Sequence, residues 1–426
     1  MTPTTARDTA RRLDADDSLA VWRREYAIPT GPDGRPWRYF CGHSLGLMPH
    51  AVPAAIEAMT AQWRDHAVDG HFKGPHAWLE FAEQQRPALA RLVGAEPAEV
   101  VLMNALTVNL HLLLAGFYRP AGRRRQLVIE HGAFPSDRYA VQSQIRWHGL
   151  DPDAELIEIA PQQGGTTHGV DGLERYLAGH GDEVALVLWP GVQYLTGEAF
   201  DLRRIAERVH AAGALICFDL AHAAGNSPLA LSASGIDGAV WCSYKYLNGG
   251  PGALAGMFIH QRHHNEKQLH LGGWWGVDVA ERFAMRAEFH PAGDARAWQI
   301  SNPPIMTLAA QSVALDHFAA AGMANLRDKS LSLTGFLEHL IDERLGDRVA
   351  IVTPRQPERR GAQLSLRITQ PGCAARDVQQ ALAGHGVIAD FRMPDIIRLA
   401  PVPLYNTHED VFDAVEALHA VLTERQ

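Results

Sequence analysis

The sequence predicts an α/β protein with a large domain on a mostly parallel sheet and a smaller α+β domain after it. Between about residues 100 and 259, short apolar runs of strand length alternate with longer amphipathic segments of helical period. That alternation is typical of a parallel sheet with helices on both faces. After residues 302–304 (Asn-Pro-Pro) it gives way to a long helical stretch and then to strands and helices in mixed order. This change indicates the second domain.

The predicted elements follow in chain order. Residues 5–26 space their apolar side chains as a helix does, residues 39–46 form a short strand that enters a glycine-containing turn, and residues 53–93 are helical with an interruption at 70–75. The strands predicted next are 100–103, 126–130, 184–189, 214–218, 238–241 and 253–259, and the helices between them are 108–117, 138–148, 173–178, 202–212 and 229–234. The last predicted elements are a helix over 305–342, strands at 349–352, 363–368 and 396–399, a helix at 375–385 and a closing helix. We therefore predict an N-terminal helical segment (1–38) that packs with the small domain, a large domain (39–304) and a small domain (305–426).

Composition argues against several classes of protein. The chain has 426 residues, a formal net charge of −9 and 46% hydrophobic residues, which fits a soluble globular protein. Its one basic cluster, residues 123–125, is too small to predict nucleic-acid binding. The sequence contains no run of eighteen apolar residues, so it predicts no membrane span. Residues 1–8 lack the apolar core of a signal peptide, and the four cysteines lie far apart without metal-ligand spacing. We therefore expect a cytoplasmic protein with reduced thiols and no metal site.

A lysine and an aspartate at the ends of consecutive predicted strands indicate which cofactor the protein binds. Asp219 ends the apolar run 214–218, and Lys245 lies between the run 238–241 and a glycine pair. In such sheets ligands bind beyond the carboxyl ends of the strands, so we expect the two side chains at one site. Pyridoxal phosphate (PLP) needs a lysine amine to hold it as a Schiff base and an acid to pair with its pyridinium nitrogen. The pair predicts this cofactor, against the alternative that Lys245 is a solvated loop lysine.

Two further turns suit the same cofactor. Residues 103–109 leave a strand and begin a helix, where free backbone N–H groups and the hydroxyl of Thr107 would bind a phosphate. In the turn 131–137, Phe134 would stack on a pyridine ring and Asp137 would hydrogen-bond near it. The alternatives are an ordinary threonine N-cap in the first turn and a Pro-Ser-Asp helix cap in the second.

Two patterns do not predict sites. Residues 250–255 match a G-x-G-x-x-A dinucleotide motif, but the residues after them form a strand and that motif must open a helix. His260, His263 and His264 have no second set of ligands nearby in the sequence, so we expect exposed loop histidines.

Seven segments carry a family resemblance: 39–47, 102–111, 133–137, 218–223, 241–248, 300–304 and 400–406. Together they resemble kynureninase, from about residue 39 to the C-terminus. The resemblance implies a fold-type I, aspartate-aminotransferase-like PLP enzyme with a mostly parallel seven-stranded sheet. It also implies a homodimer with a shared active site.

The resemblance assigns roles to particular residues. It implies that Lys245 holds the cofactor covalently, that Asp219 pairs the pyridinium, and that Tyr244 contacts phosphate and transfers protons. Further cofactor contacts are implied for Leu106, Thr107, Phe134, Ser136, Asp137 and His222, and for Trp274 and Asn302 contributed by the partner subunit. Substrate contacts are implied for Ser44, His71, Asn302 and Arg398, of which Arg398 would bind the substrate carboxylate with two hydrogen bonds.

The implied reaction is hydrolysis of L-kynurenine or 3-hydroxy-L-kynurenine to anthranilate or 3-hydroxyanthranilate and L-alanine. The pairing of His71 with Asn302 resembles the animal-type pairing, which leans toward the hydroxylated substrate. The sequence does not decide which pathway uses this kynurenine reaction: tryptophan catabolism, NAD biosynthesis or secondary metabolism. Two residues depart from the family pattern: Pro190 replaces a hydroxyl residue, and His43 replaces an asparagine.

The sequence leaves two alternative functions to consider. Another fold-type I enzyme, such as an aminotransferase or a cysteine desulfurase, is one alternative, and a desulfurase would need a nucleophilic cysteine for which Cys373 is the candidate. A catalytically dead dimeric scaffold is the second, and the joint presence of Lys245, Asp219, Tyr244 and Arg398 argues against it.

Overall fold

The structure is a computed structural model that describes residues 3–161, 165–266 and 271–425. The α-helices are α1 (Pro3–Ala15), α2 (Val52–His66), α3 (Trp78–Val93), α4 (Leu106–Phe117), α5 (Pro135–Trp147), α6 (Pro152–Glu155), α7 (Asp171–His180), α8 (Leu202–Ala211), α9 (Leu231–Ser234), α10 (Ile305–Ala321), α11 (Met323–Arg344), α12 (Ala375–Gly384) and α13 (His408–Thr423). The strands are β1 (Arg38–Tyr39), β2 (Val100–Met103), β3 (Gln126–Glu130), β4 (Leu156–Ile159), β5 (Val184–Pro190), β6 (Leu215–Asp219), β7 (Gly238–Trp241), β8 (Ala255–Ile259), β9 (Val349–Ile351), β10 (Leu364–Ile368), β11 (Val387–Ile388), β12 (Asp390–Arg392) and β13 (Ile396–Leu399). Within the described ranges, no helix combines the length and the apolar character needed to cross a bilayer.

The large sheet confirms the predicted fold class. It has seven strands in the order β2-β8-β7-β6-β5-β3-β4, and the pairs from β7 to β4 are parallel. Strand β8 is antiparallel to both neighbours, because a loop without a helix connects it to β7 and the chain returns directly. The sequence pattern did not predict β4, since an edge strand that is mostly half-buried lacks a continuous apolar run.

Helix α8 shows how the sequence builds the layer outside the sheet. It begins after Asp201, whose side chain accepts a hydrogen bond of 3.0 Å from the backbone N–H of Arg204. Such an N-cap contributes about 1 kcal/mol to helix stability. The buried side chains of the helix are spaced at three- and four-residue intervals and form one apolar face: Leu202, Ile205, Ala206 and Val209.

The small domain has its own apolar core. Its antiparallel four-stranded sheet has the order β12-β13-β10-β9, and α11, α12 and α13 supply most of the remaining buried side chains. Ala6 and Ala10 of α1 belong to the same buried cluster, whereas α10 packs against α2 and α3. The domain boundaries at residues 38 and 304 stay a prediction.

The single helix predicted over residues 305–342 is wrong. The chain forms two helices there, α10 and α11, which meet at Gly322. Gly322 has a φ of 78°, a conformation that glycine adopts without the steric cost of a side chain. The hydrophobic period continues across the break, so the period alone did not reveal it.

The prediction that the histidines after β8 are exposed is wrong for His263. Its side chain is 7% exposed, and its Nε2 lies 2.9 Å from Oδ1 of Asp237. Asp237 precedes β7 in the sequence, so this contact arises only when β7 and β8 pair.

Candidate active site

A cleft lies at the carboxyl ends of β3, β5 and β6 and beside the loop that follows β7. It encloses about 530 Å³, part of it open to solvent. The cleft brings together nine of the predicted site residues: Leu106, Thr107, Phe134, Ser136, Asp137, Asp219, His222, Tyr244 and Lys245. It is also lined by residues that the sequence analysis did not assign to the site: Glu130, Val192, Tyr194 and Ala221.

One end of the cleft suits an anion. Helices α4 and α5 begin side by side, and Oγ1 of Thr107 lies 2.7 Å from Oγ of Ser136. Thr107 lies in the first turn of α4 and Ser136 in the first turn of α5. Backbone N–H groups at helix N-termini and nearby hydroxyl groups are the usual partners of a phosphate.

The loop that carries Lys245 is tightly folded. The backbone N–H of Gly249 donates a 2.8 Å hydrogen bond to the carbonyl oxygen of Ser243, and Asn248 has a φ of 57°. Nζ of Lys245 lies 6.0 Å from the centroid of the Phe134 ring. The structure therefore places the amine over the phenyl ring, and both side chains line the cleft.

Acidic groups gather at the closed end of the cleft. Oδ1 of Asp219 accepts a 2.7 Å hydrogen bond from the backbone N–H of Ala221. Burial, together with the negative charge of Asp219, raises the pKa of Asp137 and that of Glu130 well above their ordinary values. Glu130 ends β3 at the same edge as Asp219 ends β6, and this shared position is the signal that could have predicted it.

Two buried polar atoms at this end have no hydrogen-bond partner among the described residues: Oδ1 of Asp137 and Nδ1 of His222. Burial and the positive charge of Lys245 lower the pKa of His222 well below its ordinary value, so its imidazole is neutral. Burial raises the pKa of Tyr244, so its phenol keeps its proton. Buried polar atoms normally have partners, and these are the groups that a ligand of the cleft would satisfy.

Arg398 and Ser44 lie beside the cleft. Arg398 is 1% exposed, and its Nη1 donates a 2.6 Å hydrogen bond to the carbonyl oxygen of Tyr194, which lines the cleft. Its Nη2 lies 3.4 Å from Oγ of Ser44. The turn that carries Ser44 packs on the lysine loop, because the backbone N–H of Gly46 donates to the carbonyl oxygen of Tyr244 at 2.8 Å.

The two departures from the family pattern also lie here. Pro190 lines the cleft at the end of β5 without a hydroxyl group. His43 is fully buried, its ring centroid lies 6.3 Å from that of His222, and burial lowers its pKa to about 3.

Besides Ser44 and Arg398, three more predicted site residues do not line this cleft: His71, Trp274 and Asn302. The backbone of residues 273–276 packs against Ile300, which brings Trp274 close to the segment that carries Asn302. Phe72, next to His71, and Trp274 both contact the ring of Phe283, at centroid distances of 6.0 and 5.7 Å. Trp274 and the two phenylalanines are about half exposed.

The residues of the cleft fit PLP. Two helix N-termini with hydroxyl groups would hold its phosphate, Phe134 would lie on its ring, and Lys245 would hold its aldehyde carbon. Asp219 would pair its ring nitrogen. The unpartnered atoms of Asp137 and His222 are further polar groups for the same ligand.

Comparison with known proteins supports this interpretation. A family model described as the kynureninase C-terminal domain matches residues 326–418. A protein named kynureninase from Stenotrophomonas maltophilia is 50% identical over 416 residues, which cover 97% of this chain and 98% of the relative. Another protein of that name, from Koribacter versatilis, is 46% identical over 419 residues, 98% of each chain.

Solved structures show the same fold at low identity. A cysteine desulfurase from Thermococcus onnurineus superposes with a TM-score of 0.76 and 17% identity over 95% of this chain and 98% of its own. A C-DES variant with glycine covalently linked to its PLP cofactor superposes with a TM-score of 0.75 and 18% identity, over 95% of this chain and 99% of its own.

The fold is that of the fold-type I class, and the cleft has the residue types that PLP requires. Within that class, the full-length relatives decide the family. The chain belongs to the kynureninase family, and its cofactor is pyridoxal 5′-phosphate.

Proposed function

We propose that the cleft around Lys245 is where this member of the kynureninase family hydrolyses its substrate, L-kynurenine or 3-hydroxy-L-kynurenine. One observation carries the assignment of the site. Lys245, Asp219 and the Thr107–Ser136 hydroxyl pair, which lie on four separate segments, meet in a single cleft.

The reaction cleaves the Cβ–Cγ bond of the substrate with one water molecule and yields anthranilate, or its 3-hydroxy form, and L-alanine. Bound PLP supplies an electron sink for the negative charge that develops on the substrate carbon atoms. Lys245 would hold the cofactor, and its free amine would take the α-proton of the bound substrate and return a proton later. Asp219 keeps the ring nitrogen protonated, and Arg398 holds the α-carboxylate.

Tyr244 serves in the later proton transfers. Its phenol lines the cleft beside Lys245 and stays protonated because burial raises its pKa. A protonated phenol donates to a carbon or oxygen atom that becomes negative, and the cleft limits competing donation from bulk water.

The experiment that tests this function follows anthranilate fluorescence when purified, PLP-loaded protein meets L-kynurenine, with 3-hydroxy-L-kynurenine in parallel. We expect product from both, and the ratio of their kcat/KM values decides which substrate is preferred. Folded, cofactor-loaded protein that forms no product from either substrate would overturn the proposal. L-Cysteine serves as the control substrate, because Cys373 packs against the small-domain core and does not line the cleft.

We also propose that a homodimer completes the site. The exposed aromatic cluster of Phe72, Trp274 and Phe283 supports this, because clustered exposed aromatic side chains are typical of protein interfaces. The cluster carries Trp274 itself and adjoins His71, and neither residue lines the cleft of its own chain.

Subunit hybrids test the shared site. Protomers with Lys245→Ala are coexpressed with protomers that carry Trp274→Ala and Asn302→Ala. If Trp274 and Asn302 act across the interface, the mixed dimer holds one intact site, and its activity rises to about half that of the native dimer. If they act within their own chain, mixing restores no activity, and the proposal of a shared site fails.

A cytoplasmic location is proposed as well. None of the four cysteines forms a disulfide, which suits a reducing compartment. Fractionation of the source cells with an antibody to the protein would test it, and recovery outside the cytoplasmic fraction would contradict it.

A further inference from the structure

An acidic side chain already binds the arginine to which we assign the substrate carboxylate. Asp390 of β12 and Arg398 of β13 lie directly opposite each other in the antiparallel pair. Nε of Arg398 donates to Oδ2 of Asp390 at 2.7 Å, and Nη2 donates to the same oxygen. Side chains at directly opposite positions lie close enough to fix each other's orientation.

The two contacts occupy only one edge of the guanidinium group. A guanidinium has five N–H donors and two edges that can each bind a carboxylate with a pair of hydrogen bonds. Asp390 takes the Nε–Nη2 edge. On the Nη1–Nη2 edge, Nη1 donates to the carbonyl oxygen of Tyr194, and Nη2 has only the long 3.4 Å contact to Ser44. A carboxylate that binds this edge uses one hydrogen of each nitrogen and would displace the contact to Ser44, and Nη1 has a second hydrogen outside the edge that can donate to Tyr194.

We propose that Asp390 is a positioning residue that holds Arg398 by one edge so that the opposite edge meets the α-carboxylate of the substrate. The proposal rests on the function proposed above for Arg398. Asp390 touches neither the cleft nor the reacting atoms, and it acts only through the arginine.

Other side chains hold Asp390 in turn. Nε2 of His43 lies 3.3 Å from Oδ2 of Asp390, and Nε of Arg392 donates to the same oxygen at 3.0 Å. His43 is fully buried, so it has little room to move away. This arrangement gives the histidine that replaces the family's asparagine a specific function, which is to contact the same oxygen of Asp390 as the two arginines.

The alternative is that Asp390 competes with the substrate for Arg398. The two ideas predict opposite changes in KM. A positioning residue, when removed, leaves a buried arginine that is free to turn toward other acceptors, so the substrate binds less well. A competitor, when removed, leaves the arginine more available, so the substrate binds better.

The first experiment compares Asp390→Ala and Asp390→Asn with native enzyme in the PLP-loaded form. We expect Asp390→Ala to raise KM for kynurenine about 10-fold or more with a smaller change in kcat. Asp390→Asn should raise KM less, because its amide oxygen still accepts both N–H groups. The matched control is Asp395→Asn, which removes a half-exposed ion pair with Arg367 in the same small sheet and should leave KM unchanged. A KM that stays the same or falls in both Asp390 variants overturns the proposal.

The second experiment separates positioning from general loosening of the fold. The probe is the amine that corresponds to kynurenine without its α-carboxylate, measured as a competitive inhibitor. Asp390→Ala should leave its inhibition constant within about 2-fold of native, since this ligand makes no use of Arg398. Equal losses of affinity for kynurenine and for the amine would show a merely structural effect and overturn the proposal. If Asp390→Ala does not fold, Asp390→Asn is used in both experiments.

Arg398→Lys, measured in parallel, distinguishes the two proposals. A raised KM in Arg398→Lys together with an unchanged KM in the Asp390 variants defeats only the inference about Asp390. An unchanged KM in Arg398→Lys defeats the proposed function of Arg398, and with it the inference.

Discussion

Two aspartates at opposite ends of neighbouring strands have opposite surroundings. Asp237 precedes β7, at the end of the sheet remote from the cleft, and is 1% exposed. Its carboxylate accepts the backbone N–H of Ile216 at 2.8 Å and lies 2.8 and 2.9 Å from ring nitrogens of His210 and His263. Burial alone would raise its pKa, but these hydrogen bonds outweigh burial and lower it. Asp219, at the end of β6, accepts the backbone N–H of Ala221 at 2.7 Å, and its side chain also hydrogen-bonds with that of Asp137.

This difference in hydrogen bonding indicates that the groups around Asp237 serve stability and those around Asp219 serve function. The groups around Asp219 include Oδ1 of Asp137 and Nδ1 of His222, buried atoms that have no hydrogen-bond partner among the described residues. Burial raises the pKa of Asp137 and lowers that of His222, which favours the neutral form of each. A satisfied cluster such as that of Asp237 contributes to folding, whereas an unsatisfied one costs free energy until a ligand binds. We therefore expect substitutions at the cleft to change chemistry, and substitutions at Asp237 to change stability.

The largest expected effect is that of Lys245→Ala on chemistry. Without the amine, the purified protein should lose the visible absorbance band of covalently held cofactor, and kcat should fall by ~10⁴-fold or more. Its melting temperature without cofactor should stay close to native, because the Lys245 amine forms no ion pair among the described residues and lies 6.0 Å from the centroid of the Phe134 ring. A variant that keeps the absorbance band would contradict the assignment of Lys245.

Asp237→Asn should have the largest effect on stability. Removing one charge from a buried, hydrogen-bonded cluster typically costs about 3–5 kcal/mol of unfolding free energy. Denaturant unfolding measures the change, and KM for kynurenine in the folded protein should remain native. The control is Asp182→Asn, an exposed partner of Arg123, which should change the unfolding free energy by less than about 1 kcal/mol. A changed KM in Asp237→Asn would contradict the idea that Asp237 serves stability alone.

Asp219→Asn should produce the reverse pattern. We expect kcat to fall ~10²-fold or more, because an amide does not keep the cofactor's ring nitrogen protonated. The unfolding free energy of the cofactor-free protein should fall by less than about 3 kcal/mol, since the amide oxygen of asparagine can still accept the backbone N–H of Ala221. Loss of stability on the scale of Asp237→Asn would show that both aspartates are mainly structural.

His43→Asn should have the smallest effect, on the pH dependence of stability. The folded pKa of His43, about 3 because of burial, lies below its unfolded value near 6.5. Its contribution is therefore fully present above about pH 6.5 and is lost as pH falls from there toward 3, because only the unfolded chain takes up the proton. The variant should reduce the slope of unfolding free energy against pH by at most about 1.4 kcal/mol per unit in this window. Identical slopes for the variant and the native protein would contradict the neutral, buried state of His43.

Much of the fold and of the cofactor site could be predicted from the sequence. The alternation of apolar runs and helices predicted parallel strands, and parallel strands bring their carboxyl ends to one edge. Asp219 and Lys245 could therefore be placed together without knowing any other contact. The edge strand β4 was missed because it lacks a continuous apolar run, and the break at Gly322 was missed because the hydrophobic period continues across it.

The contacts that join distant segments needed the tertiary structure. Asp390 lies in a three-residue strand of the small domain, and nothing in its local sequence predicts that it binds Arg398 or that His43 supports it. The pairing of His263 with Asp237 likewise depends on how β8 returns beside β7.

The sequence by itself determined the fold class and the meeting of Lys245 and Asp219 in one cleft, because periodicity and strand ends are local properties. Only the tertiary structure decided which polar groups are satisfied and which are left for a ligand. The physical reason is that the energy of a buried charge depends on every segment packed around it, and those segments are far apart in the chain.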